Sequence, residues 1–234
     1  PATIGSLRGL GRALIPTPIQ LFAGAHSNRT RLYLYLFFHI FAAFSALEAM
    51  FPLWARERFG WGTLQIGLFL GYLGVVISAT QGLLIGRLSQ RYSEVPLVIL
   101  GLAFTGGAMM LLPATYSLGT LMIVGGVLAF GNGIAFPTFT SLFSKVCGVD
   151  DAGEFLGHSQ SMAQTGRALG PYWGGWAMGS IGGGAPLFLG GLGVLAALGI
   201  FLAGRSVLVP RPEDPKPPSY SERGGSGESV RSEP

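Results

Sequence analysis

Charge is what this sequence has least of. Only 11% of its 234 residues are Asp, Glu, Lys or Arg, against 49% apolar ones, and the mean hydropathy is +0.50. A water-soluble domain of this length needs a charged surface that this balance does not supply, so the chain reads as a membrane protein. Cysteine is nearly missing. The single Cys147 excludes an intramolecular disulfide framework, and no spacing of Cys and His has the pattern of a metal site. No nucleophile stands in pattern with a base, no HExxH occurs, and no glycine-rich phosphate loop follows a strand. An enzyme is therefore not indicated, and no cofactor is called for. The net charge of +4 collects in loops and ends, which accounts for it without a nucleic-acid partner.

What is present is apolar sequence in long runs. A spanning helix needs roughly 20 mostly apolar residues to cross about 30 Å of hydrocarbon. Six stretches qualify: Leu32 to Phe51, Leu64 to Ile85, Pro96 to Leu112, Leu118 to Phe143, Phe155 to Ser180 and Ala185 to Ala203. Peptide groups in lipid have no water to bond, and the short alternating segments of a barrel are lacking, so all six are expected to be helical. The expected fold is an all-α, multi-pass bundle over residues 32–203.

Basic residues orient it. Twelve of the fifteen Lys and Arg residues fall at the ends or in the connections after the second and fourth spans; Arg56 and Arg58 lie between the first and second, and Arg167 lies inside the fifth. That bias predicts both termini on the cytoplasmic side of a plasma or inner membrane. Trp54, Phe59 and Trp61 flank the outer loop from Leu53 to Gly62 as interfacial aromatics do. Residues 204–234 are rich in Pro, Ser, Gly and charge, the composition of a disordered cytoplasmic tail. Residues 1–31 read as a cytoplasmic basic linker, with SLRGLGRAL offering a surface amphipathic helix as the other reading. They hold no signal-peptide pattern, and an opening Pro1 suggests a fragment or processed product.

Two motifs carry more than topology. The segment GRLSQRYSE after the second span has Gly86, Leu88 and Arg91 where a known loop motif has glycine, an apolar residue and arginine. Gln90, Ser93 and Glu94 depart from it, standing at acidic, glycine and basic positions. In the fifth span, Gly157, eight residues, Gly166, three residues, Gly170-Pro171, two residues, Gly174-Gly175 reproduces a second spacing. On these residues, and on ALEAMFPLWARERFGWGTLQIGLFLGYLG and GNGIAFPTFTSLFSK, the sequence resembles the major facilitator superfamily in its tetracycline-efflux-like, drug:proton antiporter branch. The eroded loop motif beside the intact antiporter-like one points to the second six-helix half. The resemblance implies a transporter of two such halves rocking about a central cavity, with substrate sites near the midplane where the halves meet. It makes Gly86, Arg87 and Arg91 candidates for a gating loop.

Two residues that carry charge lie deep in the spans, Glu48 and Arg167. Each costs about 2.5–3.5 kcal/mol near a helix centre, so each is expected to face protein or water. Gln160, Gln164 and Arg167 recur at four- and three-residue spacing and so share one face of the fifth helix. Gly166, Gly170 and Gly174 occupy the neighbouring face, an arrangement that lets membrane helices approach closely, and Pro171 removes a backbone donor there. Arg167 has two readings: it binds an anionic substrate group or serves as a releasable counter-charge, or it bonds helix carbonyls or a glutamine and pins the bundle. Glu48 is the candidate for loading and releasing a proton, unless a cation such as Arg167 holds it ionised. Its other reading is a side chain that snorkels outward to Arg56 or Arg58. Asn132 and, more weakly, Gln81 are candidates for ligand or interhelical hydrogen bonds, and the resemblance implies that Asn132 and Glu48 share one cavity wall. His39, on the far side of its helix from Glu48, reads as packing.

The function expected is half of a secondary transporter, exporting small apolar or amphiphilic compounds by alternating access in exchange for protons. Its partners would be substrate, protons, the bilayer, and either the missing N-terminal half or a second copy. The alternatives are a six-helix membrane protein that transports nothing, such as a truncated product or interaction module, and a symporter or uniporter of the same superfamily.

Overall fold

A computed structural model describes residues 28–146 and 152–205. Cys147, the SLRGLGRAL stretch and the 206–234 tail lie outside them, and with them the expectations about linker and tail. The described residues form six long helices and no strand: α1 Asn28–Phe59, α2 Thr63–Arg91, α3 Glu94–Leu111, α4 Leu118–Val146, α5 Ala152–Ser180 and α6 Ala185–Ala203. Five of them are long and apolar enough to cross a membrane; α5, though 29 residues long, has no stretch as apolar as theirs among its described residues. A six-residue π turn, Thr80–Ile85, interrupts α2, and a 3-10 turn, Leu112–Ala114, closes α3.

Two loops are shorter than the sequence implied. The apolar run ends near Phe51, but α1 continues through Pro52 and three charged residues to Phe59, so the expected outer loop from Leu53 shrinks to Gly60–Gly62. Gly60 ends the helix in the left-handed region (φ +67), where a side chain would be strained. The Gly62 N–H then donates to Gln65 Oε1 (3.0 Å) as α2 starts. The second correction concerns GRLSQRYSE. The expected gating loop is helix as far as Arg91, the next helix begins at Glu94, and only Tyr92 and Ser93 separate them. Polar residues are no obstacle to a helix that runs past the hydrocarbon into water, which is why hydropathy alone stopped both helices early.

Packing follows a repeated plan. Helix α1 packs on α5 and α6, α4 packs on α2 and α3, and α3 meets α6. Exchanging α1-α2-α3 with α4-α5-α6 maps this set of pairs onto itself, as nested three-helix repeats do. The core between them is apolar and tight, with Leu102, Met109, Leu128, Ile134, Met162, Leu187, Val194 and Phe201 almost fully buried.

The α1–α5 seam is the closest. A Cβ added at Gly166 would stand 2.5 Å from the Phe38 carbonyl oxygen, and one at Gly170 would stand 2.8 Å from that of Ala42. With nothing but hydrogen on these Cα atoms the two backbones approach directly, which yields dispersion contacts where water cannot drive association. Two hydrogen bonds reinforce the seam. The Ser45 hydroxyl donates to the Arg167 carbonyl (2.9 Å), and the Trp173 indole N–H donates to the Ala42 carbonyl (3.3 Å).

Candidate functional site

Helices α1 and α4 line both recesses on one side of the bundle, its concave side, with α2 adding to one recess and α5 to the other. Phe37, Phe41, Phe44 and Glu48 lie along this side of α1, spaced by three and four residues. Two pockets open along them.

The first, about 170 Å³, is lined by Phe37, Phe41, Phe44, Asn132, Phe136 and Arg167, among others. Arg167 reaches it from α5, with its guanidinium carbon 5.0 Å from the centre of the Phe41 ring. Phe136 meets the same ring edge-on, with centroids 5.6 Å apart. The aromatic face attracts the cation while the guanidinium keeps donors for a ligand. Asn132, half-buried on α4, adds a group that both donates and accepts.

The second, about 340 Å³, lies between α1, α2 and α4. It is lined by Phe44, Leu47, Glu48, Phe51, Phe69, Leu73 and Gly74, among others, and Glu48 is its ionisable residue. Stacked Phe51 and Phe69, 4.9 Å apart, form part of its wall. Phe44 belongs to both pockets and stands between the two charges.

The structure thus places Arg167 with Asn132, and places Glu48 next door rather than beside them. Among the described residues neither charge forms an ion pair. Arg58, one suggested partner of Glu48, is engaged elsewhere: its Nε donates to the Thr115 carbonyl (3.5 Å) and its guanidinium lies 4.1 Å over the Tyr116 ring.

Gln160 and Gln164 are exposed on the same side of α5 as Arg167, but outside the first pocket. Gln81 is exposed within the π turn of α2 and outside both pockets. Gly157 and Gly175 have open space where a side chain would go, and Pro171 is exposed without ending α5. At the C-terminal end of α2, Gly86 is likewise open, Arg87 donates to the Leu83 carbonyl (2.9 Å), and Arg91 is exposed.

His39 packs between helices. Its ring stacks on Tyr35 (5.7 Å) and lies against Gly193, at the base of a 480 Å³ crevice between α1, α5 and α6. Sequence reasoning also passed over the aromatic lining. Phe41, Phe44 and Glu48 share one helix face by their three- and four-residue spacing, but an aromatic at such a position reads as core unless the open side of the bundle is known.

A membrane bundle of two exchanged three-helix units, with intramembrane charges on its concave side, has the architecture of a transporter half. The chain belongs to the Major Facilitator Superfamily, whose pattern it matches over residues 5–171 and again over 76–232. It is 29% identical over 119 residues to the class B tetracycline resistance protein of Escherichia coli, covering 51% of this chain and 29% of that one. It is 28% identical over 144 residues to mouse Major facilitator superfamily domain-containing protein 10, covering 62% of this chain and 31% of that one. The crystal structure of the human organic anion transporter MFSD10 (TETRAN) has the same fold, with a TM-score of 0.71 at 21% identity over 82% of this chain and 47% of that one. The chain thus spans about half of the solved transporter and under a third of these two curated relatives. The family is one of transporters rather than enzymes.

Proposed function

We propose that the chain is the second six-helix half of a proton-coupled exporter of small apolar or amphiphilic compounds, with both termini cytoplasmic and α5 spanning the membrane. The observation that carries this reading is the wall itself: Arg167, Asn132 and Glu48 all open on the concave side, in pockets built, Thr105 apart, of aromatic and aliphatic groups. A charged group inside a span is retained where it meets substrate, ions or partners, and the Glu48 recess, about 340 Å³, has the size of a ligand pocket. The printed names of the relatives, tetracycline resistance and organic anion transport, support small amphiphilic cargo. Glu48 carries the proton and Arg167 meets the cargo or its counter-charge.

A wall needs a facing wall. The exposed edges, with Leu64, Leu68 and Val75 on α2 and Tyr172 and Trp176 on α5, are where the other half, or a second copy, is proposed to close the cavity. The test is transport by the full-length protein in proteoliposomes under an imposed pH gradient, with a panel of drugs and metabolites. Glu48→Gln is expected to slow coupled uptake at least about tenfold. Unaltered coupling in that variant removes the proton role. Arg167→Lys is expected to impair transport as well, because a point charge does not copy the planar guanidinium fork.

A further inference from the structure

We infer that the concave wall is a two-headed site selecting amphoteric amphiphiles, with a ligand anion held at Arg167, a ligand cation held at Glu48, and Phe44 the ridge across which the ligand's apolar body lies. This rests on the transporter reading above and deepens it.

The two charges share a wall but are kept apart. Glu48 follows Phe41, the ring beneath the guanidinium, by seven residues on one helix face, a separation of about 10 Å along the axis. No ion pair joins them among the described residues. Each charge therefore lines its own, mostly apolar pocket with its binding capacity unspent and its side chain accessible. The pockets differ in their polar fittings. The Arg167 pocket adds Asn132, so it suits a carboxylate or sulfonate that accepts several hydrogen bonds. The Glu48 groove adds aromatic faces from Phe44, Phe51 and Phe69, which suit an alkylated ammonium. Between them Phe44 offers the apolar contact. A compound with opposite charges at the two ends of a rigid apolar body of about 10 Å satisfies both heads at once, whereas a singly charged compound leaves one charge facing an empty apolar pocket.

Gly74 gives the arrangement a handle that touches neither charge. It lines the Glu48 groove from α2, and a side chain added there meets nothing within 4 Å. Gly74→Leu therefore fills the groove without breaking packing.

The experiment uses the full-length protein in lipid nanodiscs and three matched probes on one biphenyl body: 4′-trimethylammonio-biphenyl-4-carboxylate, and the two analogues in which either charged end is replaced by an isosteric uncharged group. Equilibrium binding is measured for each. The amphoteric probe is expected to bind at least about tenfold more tightly than either analogue. Glu48→Gln and Gly74→Leu are each expected to reduce it to the level of the anionic analogue, whose own affinity stays unchanged. Arg167→Gln is expected to reduce it to the level of the cationic analogue; if that variant does not fold, Asn132→Leu tests the same head. The two-headed site is overturned if the amphoteric probe gains nothing over the better analogue, or if Gly74→Leu and Glu48→Gln weaken all three probes equally. Proton-driven flux is read separately. Lost coupling in Glu48→Gln with charge preference intact keeps the proton role and sinks the two-headed site, and the opposite pattern does the reverse.

Discussion

Helices α2 and α5 hold exchanged places in the two three-helix units, and both carry glycines at three- and four-residue intervals. They are nonetheless attached in opposite ways. On α5, Gly166, Gly170 and Gly174 face inward, the first two meeting the α1 backbone and the third Ala46 and Met50, while Gly157, Gly175 and Gly179 are open. On α2, a side chain at Gly67, Gly71, Gly74, Gly82 or Gly86 would meet nothing. It is α4 that supplies the small residues on that side: Gly125 receives Phe69 and Leu73, Gly126 receives the Tyr72 hydroxyl, and Gly133 receives Thr80. One seam is backbone on backbone and the other is side chain into notch. The same spacing of glycine in a sequence thus marks a contact on one helix and an open flank on the other, and α2 is far less buried than α4, the span it packs on.

The comparison breaks first at Gly170. Replacing it with Leu forces a side chain into the Ala42 carbonyl and Ser45, and is expected to cost about 3 kcal/mol, read as a large fall in thermal stability of the detergent-solubilised protein. A Gly170→Leu protein that melts like the parent would show that the α1–α5 seam is not held by close approach. Next comes Gly133→Val, whose added atoms would press on Thr80 and the Ile77 carbonyl; about 1–2 kcal/mol is expected, with the change confined to α2 in hydrogen exchange. Arg58→Ala removes the contacts to Thr115 and Tyr116 at the C-terminal end of α1 and is expected to cost about 0.5–1 kcal/mol in the same melt. Smallest is Gly71→Leu, within about 0.5 kcal/mol of the parent, because its new side chain enters open space. A loss there as large as at Gly170 would mean that α2 is covered by something that packs as closely as α1.

The helices were legible because bilayer thickness sets their length and lipid forbids any other backbone state, so apolar runs near residues 32, 64, 96, 118 and 185 sufficed. Their ends were not, since Arg56, Glu57 and Arg58, or Arg87 to Arg91, continue a helix in water where hydropathy says nothing. At the site, spacing put Gln160, Gln164 and Arg167 on one face, and Glu48 and Arg167 stood out as charges within apolar sequence. What spacing cannot supply is which faces of different helices converge. That Asn132 lines the pocket of Arg167, while Gln81 and Gln164 lie outside it, depends on how α4, α2 and α5 rotate against α1. Phe44 was hidden for a related reason, because a phenylalanine beside a cavity has the same neighbours in sequence as one in a core.

The π turn at Thr80–Ile85 amounts to one extra residue stored in α2, seated where the Thr80 hydroxyl donates to the Val76 carbonyl (2.8 Å) and its methyl lies on Gly133. Because the wider turn already absorbs the rotation of that extra residue, dropping one residue there would restore an unbroken α-helix with both flanking segments on their present bearings. The groove at Glu48 would stay in register, and Arg87 and Arg91 would keep their directions while moving closer along the axis by about 1.5 Å. A single-codon deletion could in this way erase the bulge and leave both ends of the helix aimed as they were.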